Sequence, residues 1–160
     1  MTKTQPYIEM LQSLIRFDTT SCNSNLELIT WVKTFVEKAG AVTLLDYDKT
    51  GQKANLFVTF PAHDGEAKKG GLVFSGHTDV VPIKDQQWSI DPFDITIKDG
   101  KVFGRGTSDM KGFLALILAE TSNIAERKLS IPFHFALSFD EEVGCLGVPL
   151  LIDNMKKHGI

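Results

Sequence analysis

The sequence predicts an α/β sandwich built around a central mixed sheet, and three observations support this. Segments with apolar residues at helical spacing come first, short β-branched or aromatic runs follow, and helix and strand then alternate. The last predicted strand is almost continuously apolar, as is typical of a strand covered on both faces. Ligands bind beyond the carboxyl ends of strands in such sheets, so the residues that follow each strand are candidates for a functional site.

Turn and breaker residues set the bounds of the predicted elements. Pro6 favours a helix start, Gly40 favours a helix end, and Asp99-Gly100 is a preferred two-residue hairpin turn. In chain order, we predict helices over about 4–17 and 25–39, strands over 42–47, 56–60 and 72–75, a hairpin of 95–98 with 101–103, a helix over about 110–127, a strand over 132–139 and a helix around 148–155.

The composition is that of one ordinary soluble domain, with 42% hydrophobic residues and a formal net charge of -3. Nucleic acid and anionic membranes are therefore not expected as partners. The longest apolar run, 113–119, is too short to span a bilayer, and the N-terminus lacks the build of a signal peptide, so we expect a cytoplasmic protein. Cys22 and Cys145 are far apart in sequence and are expected to be free thiols.

Ionisable residues cluster at three points where apolar sequence gives way to polar sequence. His77 and Asp79 follow one predicted strand, Asp109 stands just before the predicted buried helix, and the acidic run 140–142 follows the last strand. Gathering these acids at one rim of the sheet is costly through like-charge repulsion unless a cation lies among them. Imidazole and carboxylate ligands without a thiolate suit zinc, with cobalt or manganese as substitutes.

The spacing assigns some roles and leaves one open. In an H-x-D pair on an extended segment both side chains leave on one face, so Asp79 can hold the far nitrogen of His77 and fix its tautomer. Asp109 could bridge two metal ions about 3.5–4 Å apart, and we also expect it to cap the following helix. Glu141 and Glu142 cannot both point the same way if extended, so one can ligate a metal while the other acts as general base.

Other catalytic motifs are not matched by the sequence. The run GRGTSD at 104–109 has no third glycine for a dinucleotide-binding loop, and Ser108 lacks the final glycine of a nucleophile elbow. A Walker loop and an H-E-x-x-H pair are also absent from the sequence. A metal-dependent enzyme is therefore favoured over a nucleotide-binding protein or a serine hydrolase.

Four segments of the chain resemble one family of zinc-dependent amidohydrolases. They are SGHTDVVP (75–82), Trp88 with DPF (91–93), DGKVFGRGTSDMKG (99–112) and FDEEVG (139–144). The family is that of the acetylornithine deacetylases, succinyl-diaminopimelate desuccinylases, aminoacylases and glutamate carboxypeptidases. Within it, segments 19–32 and 44–60 most resemble the acetylornithine deacetylases.

The resemblance implies a role for each candidate residue. His77 would ligate the first metal, Asp109 would bridge two zinc ions, and Glu142 would ligate the second. Glu141 would be the general base, and Asp79 would orient His77. The implied reaction is hydrolysis of a small N-acyl amino acid, and the closest branch of the family implies N-acetyl-L-ornithine as substrate, with acetate and L-ornithine as products in arginine biosynthesis.

The resemblance also implies a fold and a domain organisation. The fold would be the three-layer sandwich of zinc exopeptidases, with a mixed, mostly parallel sheet. Residues 1–160 would form the N-terminal part of the catalytic domain, with the rest of that domain and a lid and dimerisation domain outside them. A further acidic ligand and a second histidine would lie there too, so we expect residues 1–160 alone to bind metal weakly and to be inactive, and the full-length protein to be a homodimer.

The remaining polar residues are expected to have structural roles. His134, inside an apolar strand, is expected to be a core histidine, and His63 is expected to face solvent. Lys111 and Arg105 are interpreted as local anchors of the loop before the buried helix, and His158 as the end of a helix. Two alternative functions stay open: a non-catalytic metal-binding or interaction domain, and an α/β scaffold without metal.

Overall fold

Helices and strands follow one another in the order that the apolar spacing predicts. The structure, a computed structural model, describes residues 6–63 and 70–159. The predicted helix start at Thr4 lies outside the described residues. The elements are α1 (Pro6–Ile15), α2 (Leu26–Lys38), β1 (Val42–Tyr47), β2 (Ala54–Phe60), β3 (Leu72–His77), β4 (Thr96–Lys98), β5 (Lys101–Phe103), α3 (Lys111–Ala119), α4 (Thr121–Ala125), β6 (Phe133–Ser138) and α5 (Gly147–Lys157).

The main sheet has four strands in the order β1-β2-β6-β3. The β1-β2 and β2-β6 pairs are antiparallel, whereas β6 and β3 are parallel. The prediction of a mixed sheet is confirmed, but the expectation of a mostly parallel sheet is wrong for the described residues, where one of three pairings is parallel. The short loop 48–53 explains part of the difference, because a parallel pair needs a much longer crossover connection.

Helices cover both faces of this sheet and produce three layers. On one face, Leu56 and Val58 of β2 lie in a core with α1, α2 and α3. On the opposite face, Phe57 of β2 and Ala136 of β6 pack against Leu151 of α5. All seven residues of β2 are buried, as expected for a strand covered on both sides. The predicted α/β sandwich is therefore confirmed.

A separate two-stranded hairpin, formed by β4 and β5, precedes α3 in the chain. Its turn residues Asp99 and Gly100 have φ angles of 51° and 72°. A two-residue type I′ turn requires this left-handed backbone at both positions, which explains why Asp-Gly occurs here. The loop 104–110 then connects the hairpin to α3.

The predicted helix over 110–127 is in fact two helices, α3 and α4, with Glu120 between them. The break comes just before the TSN run at 121–123, whose short polar side chains favour helix starts over helix interiors. The other predicted elements agree with the structure to within a few residues, and β3 extends two residues further than predicted, to His77. Of the described helices, none is both long enough and apolar enough to cross a membrane.

Candidate metal centre

His77 is the last residue of β3, so it lies at the carboxyl end of a strand in the main sheet. Its side chain is only 5% exposed. Nδ1 lies 2.9 Å from the backbone oxygen of Asp79 and 3.4 Å from Oδ1 of the same residue. Nε2 lies 3.1 Å from Oδ1 of Asp109 and 3.7 Å from Oε2 of Glu141. One ring nitrogen therefore faces Asp79, and the other faces two carboxylates.

A glycine next to His77 lets the start of α3 approach β3 closely. A Cβ atom on Gly76 would lie 2.8 Å from Cδ2 of Leu114 and 3.0 Å from Cε of Met110. The backbone N–H of His77 also donates to Sδ of Met110, at 3.3 Å. Because Asp109 directly precedes Met110, this close packing brings the Asp109 carboxylate beside the imidazole.

Asp79 is a buried carboxylate that connects three parts of the chain. Its Oδ2 accepts hydrogen bonds from Oγ of Ser21 at 2.7 Å and from the backbone N–H of Glu142 at 3.2 Å, and its Oδ1 accepts one from the backbone N–H of Glu141 at 3.0 Å. Burial raises the pKa of Asp79, but the hydrogen bonds from His77, Ser21 and the two amides outweigh it and bring the pKa down to about 2. Asp79 is therefore ionised and fixed in place.

Asp109 lies in the loop before α3, and its side chain is 75% exposed. The expectation that it caps α3 is wrong. The N-cap residue is Met110, and no side-chain hydrogen bond caps this helix. The carboxylate instead extends to His77, which leaves most of its surface open to solvent and to a ligand.

Glu141 and Glu142 follow β6 in a turn, and both are partly buried. One ligand atom each from His77, Glu141 and Glu142 lie within 4.8 Å of one another. Asp109 joins this group through its contact with Nε2 of His77. The structure thus places all five residues that the sequence singled out around His77. Glu141, the expected base, lies within the same 4.8 Å group as His77 and Glu142, whereas Asp109 is not part of that group.

The pKa values in this group reflect its crowded charges. Burial lowers the pKa of His77, but hydrogen bonds with Asp79 and Asp109 outweigh burial and raise the pKa to about 9. Burial raises the pKa of Glu142, and the negative charge of Asp109 raises it further. A bound cation would relieve this repulsion, and imidazole with carboxylate oxygens is a donor set that zinc accepts. The residues present therefore fit a divalent metal ion.

Four of the five residues with predicted structural roles are the three remaining histidines and Lys111, and all four lie where expected. His134 is fully buried, with Nδ1 2.9 Å from Oγ1 of Thr59 and Nε2 2.9 Å from the backbone oxygen of Gly70. His63 is exposed, and His158 is the C-cap of α5. The fully buried Lys111 amine donates to the backbone oxygens at the end of α1, including that of Leu14 at 3.1 Å, so its interpretation as an anchor agrees with the structure.

Both cysteines are free, as predicted, and both are exposed. The sequence did not connect either of them with the site, yet Sγ of Cys145 lies 3.7 Å from Oε1 of Glu141. Arg105 anchors its loop through Gln86 and Trp88. Its guanidinium donates to Oε1 of Gln86 and lies 5.2 Å from the centre of the Trp88 ring.

Two buried asparagines that support the site were not predicted from the sequence. The side-chain amide of Asn25 donates to Oγ1 of Thr78 at 3.0 Å and to the backbone oxygen of Ala54 at 2.9 Å. The side chain of Asn55 accepts from the backbone N–H of Phe139 at 3.2 Å. A signal for Asn55 was present, because an asparagine within an otherwise apolar strand must find buried hydrogen-bond partners.

Comparisons with known proteins find relatives of this chain. The model of "Peptidase family M20/M25/M40" matches residues 73–160. The acetylornithine deacetylase of Pasteurella multocida is 34% identical over 161 residues, a match that covers 96% of this chain and 41% of that protein. This chain therefore spans about two fifths of the length of that relative.

Solved structures of two further proteins share the fold. A metallo-carboxypeptidase of the M20 family from Sulfolobus solfataricus matches with a TM-score of 0.82 and 22% identity, over 98% of this chain and 36% of that one. Human carnosine dipeptidase 1 matches with a TM-score of 0.77 and 21% identity, over 96% of this chain and 36% of that one. These likenesses show the fold. The family model matches more than half of the chain's residues, and the chain therefore belongs to peptidase family M20/M25/M40.

Proposed function

We propose that this chain belongs to a metal-dependent amide hydrolase that removes the acyl group from a small N-acyl amino acid. The observation that carries the proposal is the imidazole of His77, which Asp79 contacts at Nδ1 and whose Nε2 faces the carboxylates of Asp109 and Glu141. A histidine ligand held at one ring nitrogen by a carboxylate or carbonyl is a common feature of protein zinc sites. Membership of a hydrolase family supports the same reaction class.

The proposed metal ligands are His77, Asp109 and Glu142, with Asp109 shared between two ions. Zinc is the proposed metal, and cobalt or manganese are the proposed substitutes. Bound zinc supplies Lewis-acid chemistry, because it polarises an acyl carbonyl and lowers the pKa of water. Residues 1–160 would form the N-terminal part of a catalytic domain in a homodimeric protein. As in the family pattern, the remaining ligands and a lid would come from other residues of that protein.

The chain's own residues would move the proton. The Glu141 carboxylate takes a proton from the water that attacks the acyl carbon, and it then gives that proton to the leaving amine as the carbon–nitrogen bond breaks. Asp79 keeps the imidazole of His77 oriented during these steps. The products are a carboxylate and a free amino acid, so one water molecule is consumed for each amide bond cleaved.

N-acetyl-L-ornithine is the substrate that we propose, with acetate and L-ornithine as products in arginine biosynthesis in the cytoplasm. The support is the 34% identity to an acetylornithine deacetylase over nearly the whole of this chain. The test is hydrolysis of N-acetyl-L-ornithine by protein from the complete reading frame, with zinc or cobalt added and with a chelator as the matched control.

We expect ornithine release that the chelator stops. Cleavage of a different acyl-amino acid alone would overturn the substrate and leave the reaction class in place. Failure to cleave any acyl-amino acid or dipeptide with metal present would overturn the reaction class as well.

A second candidate function is metal binding without catalysis. It is favoured by one observation, the grouping of Glu141 with His77 and Glu142 within 4.8 Å, because a glutamate that ligates the metal is not free to act as a base. The Glu141→Gln variant separates the two functions. If Glu141 acts as the base, the variant should bind metal with nearly unchanged affinity. If Glu141 is a metal ligand, the variant should bind metal more weakly.

A further inference from the structure

Lys53 lies outside the group of proposed ligands, yet it connects the two chain segments that contact Asp79. Its ammonium donates to the backbone oxygen of Ser21 and to Oδ1 of Asp140. The Lys53 side chain is 16% exposed and that of Asp140 is 11% exposed. A pair this sheltered from water is screened much less than a surface ion pair, and losing one partner leaves the other charge uncompensated.

The contacts of Lys53 close a ring around the carboxylate that orients His77. From Lys53 the ring runs to Ser21, whose hydroxyl donates to Asp79. It continues from Asp79 to the backbone N–H of Glu141, and from there through the peptide bond to Asp140 and back to Lys53. A shift of either segment therefore disturbs both the salt bridge and the hydrogen bonds to Asp79.

Asp140 adopts a backbone conformation that needs this support. Its φ is 55°, in the left-handed region that most side chains avoid. Its backbone oxygen accepts from the N–H of Leu146 at 3.0 Å, and its carboxylate is held by Lys53. Because Asp140 directly precedes Glu141 and Glu142, its conformation decides where both glutamate side chains leave the chain.

Lys53 is itself fixed in position before it meets Asp140. The carboxylate of Asp48 accepts from the backbone N–H groups of Gln52 and Lys53, both at 2.9 Å, and the backbone oxygen of Lys53 accepts from the N–H of Asp48 at 2.9 Å. The next residue, Ala54, exchanges two hydrogen bonds with the side chain of Asn25. The lysine therefore extends from a rigid base.

We propose that Lys53 is a positioning residue, which sets the placement of Glu141 and Glu142 relative to His77 by binding Asp140 and the backbone of Ser21. The inference rests on the proposed function, because it assigns Lys53 to the same metal site. The Lys53 ammonium forms its hydrogen bonds with Ser21 and Asp140, and among the described residues it forms none with His77 or the glutamate side chains, so it acts on them through the ring.

The test compares Lys53→Met, Lys53→Arg and Asp140→Asn with the control Lys49→Met, an exposed lysine in the same loop. The first readout is hydrogen exchange of the Glu141 and Glu142 amides in metal-free protein, corrected for any change in global stability. We expect exchange to be about tenfold faster or more in Lys53→Met, because opening then needs no broken salt bridge. The second readout is Co²⁺ affinity, which we expect to fall about 10–100-fold.

We expect variants that keep the charges of the salt bridge to behave like the wild type, and variants that remove a charge to differ from it. Lys53→Arg should stay within about threefold of wild type in both readouts, and Asp140→Asn should shift both in the same direction as Lys53→Met. If Lys53→Met does not fold, the same two readouts from Asp140→Asn decide the test. Lys49→Met should leave both readouts unchanged.

Three results would overturn the proposal. They are unchanged exchange of both amides in Lys53→Met, faster exchange with unchanged Co²⁺ affinity, and equal effects from Lys49→Met. A wild-type protein that binds no Co²⁺ would instead overturn the proposed function, while the exchange rates would still test the ring.

Discussion

Nε2 of the buried His77 lies 3.1 Å from Oδ1 of the exposed Asp109, although 32 positions separate the two residues. The imidazole is thus enclosed on the side of Asp79 and reaches solvent on the side of Asp109. A metal ion approaching from solvent therefore meets first the exposed carboxylate of Asp109 and then the buried imidazole of His77. This order shapes how the site responds to protons and to substitution.

Metal binding is expected to release a proton from His77. Its pKa of about 9 means that the metal-free imidazole is protonated at pH 7, and a metal ligand must be neutral. We therefore expect His77 to release about one proton at pH 7 when Co²⁺ binds at the position that His77 ligates. The affinity at that position should increase with pH and level off near pH 9. Calorimetric titrations in two buffers with different ionisation enthalpies measure this release.

Exposed His63 provides the matched control for that titration. His63→Gln should bind Co²⁺ as the wild type does, whereas His77→Gln should lose most of the affinity. Identical binding enthalpies in the two buffers would mean that no proton leaves, and would contradict the proposed use of Nε2.

Substitution of the two neighbouring glutamates should separate ligand from base. Glu142→Gln is expected to lower Co²⁺ affinity by about tenfold or more, because a proposed ligand is lost. Glu141→Gln is expected to lower kcat by about 10²–10⁴-fold while metal affinity stays within about threefold. Glu126→Gln, at an exposed position, is the control. An equal loss of metal affinity in both variants would favour metal binding without catalysis.

The loop 48–53, which supports Lys53, should become less stable in acid because the Asp48 carboxylate is then protonated. Burial raises the pKa of Asp48, but hydrogen bonds from Thr50, Lys53 and Gln52 outweigh it and bring the pKa from its ordinary 3.8 to about 2. The ionised carboxylate therefore stabilises the folded state above pH 4, and this contribution is lost as the pH falls from 4 towards 2. Asp48→Ala should cost about 1–2 kcal/mol at pH 7 and progressively less below pH 4.

Urea unfolding at pH 7, 4 and 3 measures this dependence. Asp153→Ala, on the exposed surface of α5, should change the free energy of unfolding by less than about 0.5 kcal/mol throughout. A constant difference between Asp48→Ala and wild type across the three pH values would show that the carboxylate charge contributes nothing.

Gly112 is expected to tolerate no side chain, although it lies in a helix. A Cβ atom there would come within 2.2 Å of the backbone oxygen of Thr107, in the loop that carries Asp109. Alanine is favoured over glycine by about 1 kcal/mol in a helix, but this clash should make Gly112→Ala less stable by about 1–3 kcal/mol. Thermal unfolding beside the control Leu116→Ala, in the same helix and 54% exposed, measures the effect. A stabilised Gly112→Ala would show that the loop moves freely away from α3.

Local patterns predicted the elements and their ends well, because the forces that set them act between near neighbours. Helical spacing located α1 and α2, and Asp99-Gly100 located the hairpin, whose φ angles only such residues adopt readily. The rule that ligands bind beyond the carboxyl ends of strands predicted that His77 lies near the acidic residues after the last strand, and the structure places Glu141 and Glu142 beside it.

Contacts between distant residues were beyond prediction from the residues alone. Ser21 and Asp79 are 58 positions apart, and Lys53 and Asp140 are 87 apart, so no local spacing marks either pair. The order of strands in the sheet also depends on tertiary packing, and this order determines that only the β3-β6 pairing of the main sheet, among the described strands, is parallel. The capping role expected of Asp109 was wrong because its carboxylate is drawn to the imidazole of His77 instead.

The most direct test of the central claim is anomalous diffraction at the zinc edge from crystals of the protein soaked in zinc. The proposed function predicts two anomalous peaks, one in contact with Nε2 of His77 and one in contact with the Glu142 carboxylate, with Asp109 in contact with both. Each peak should lie about 2.0–2.2 Å from its ligand atoms. A zinc peak elsewhere with none beside His77, or no peak at all, would contradict the claim that these residues form a metal centre.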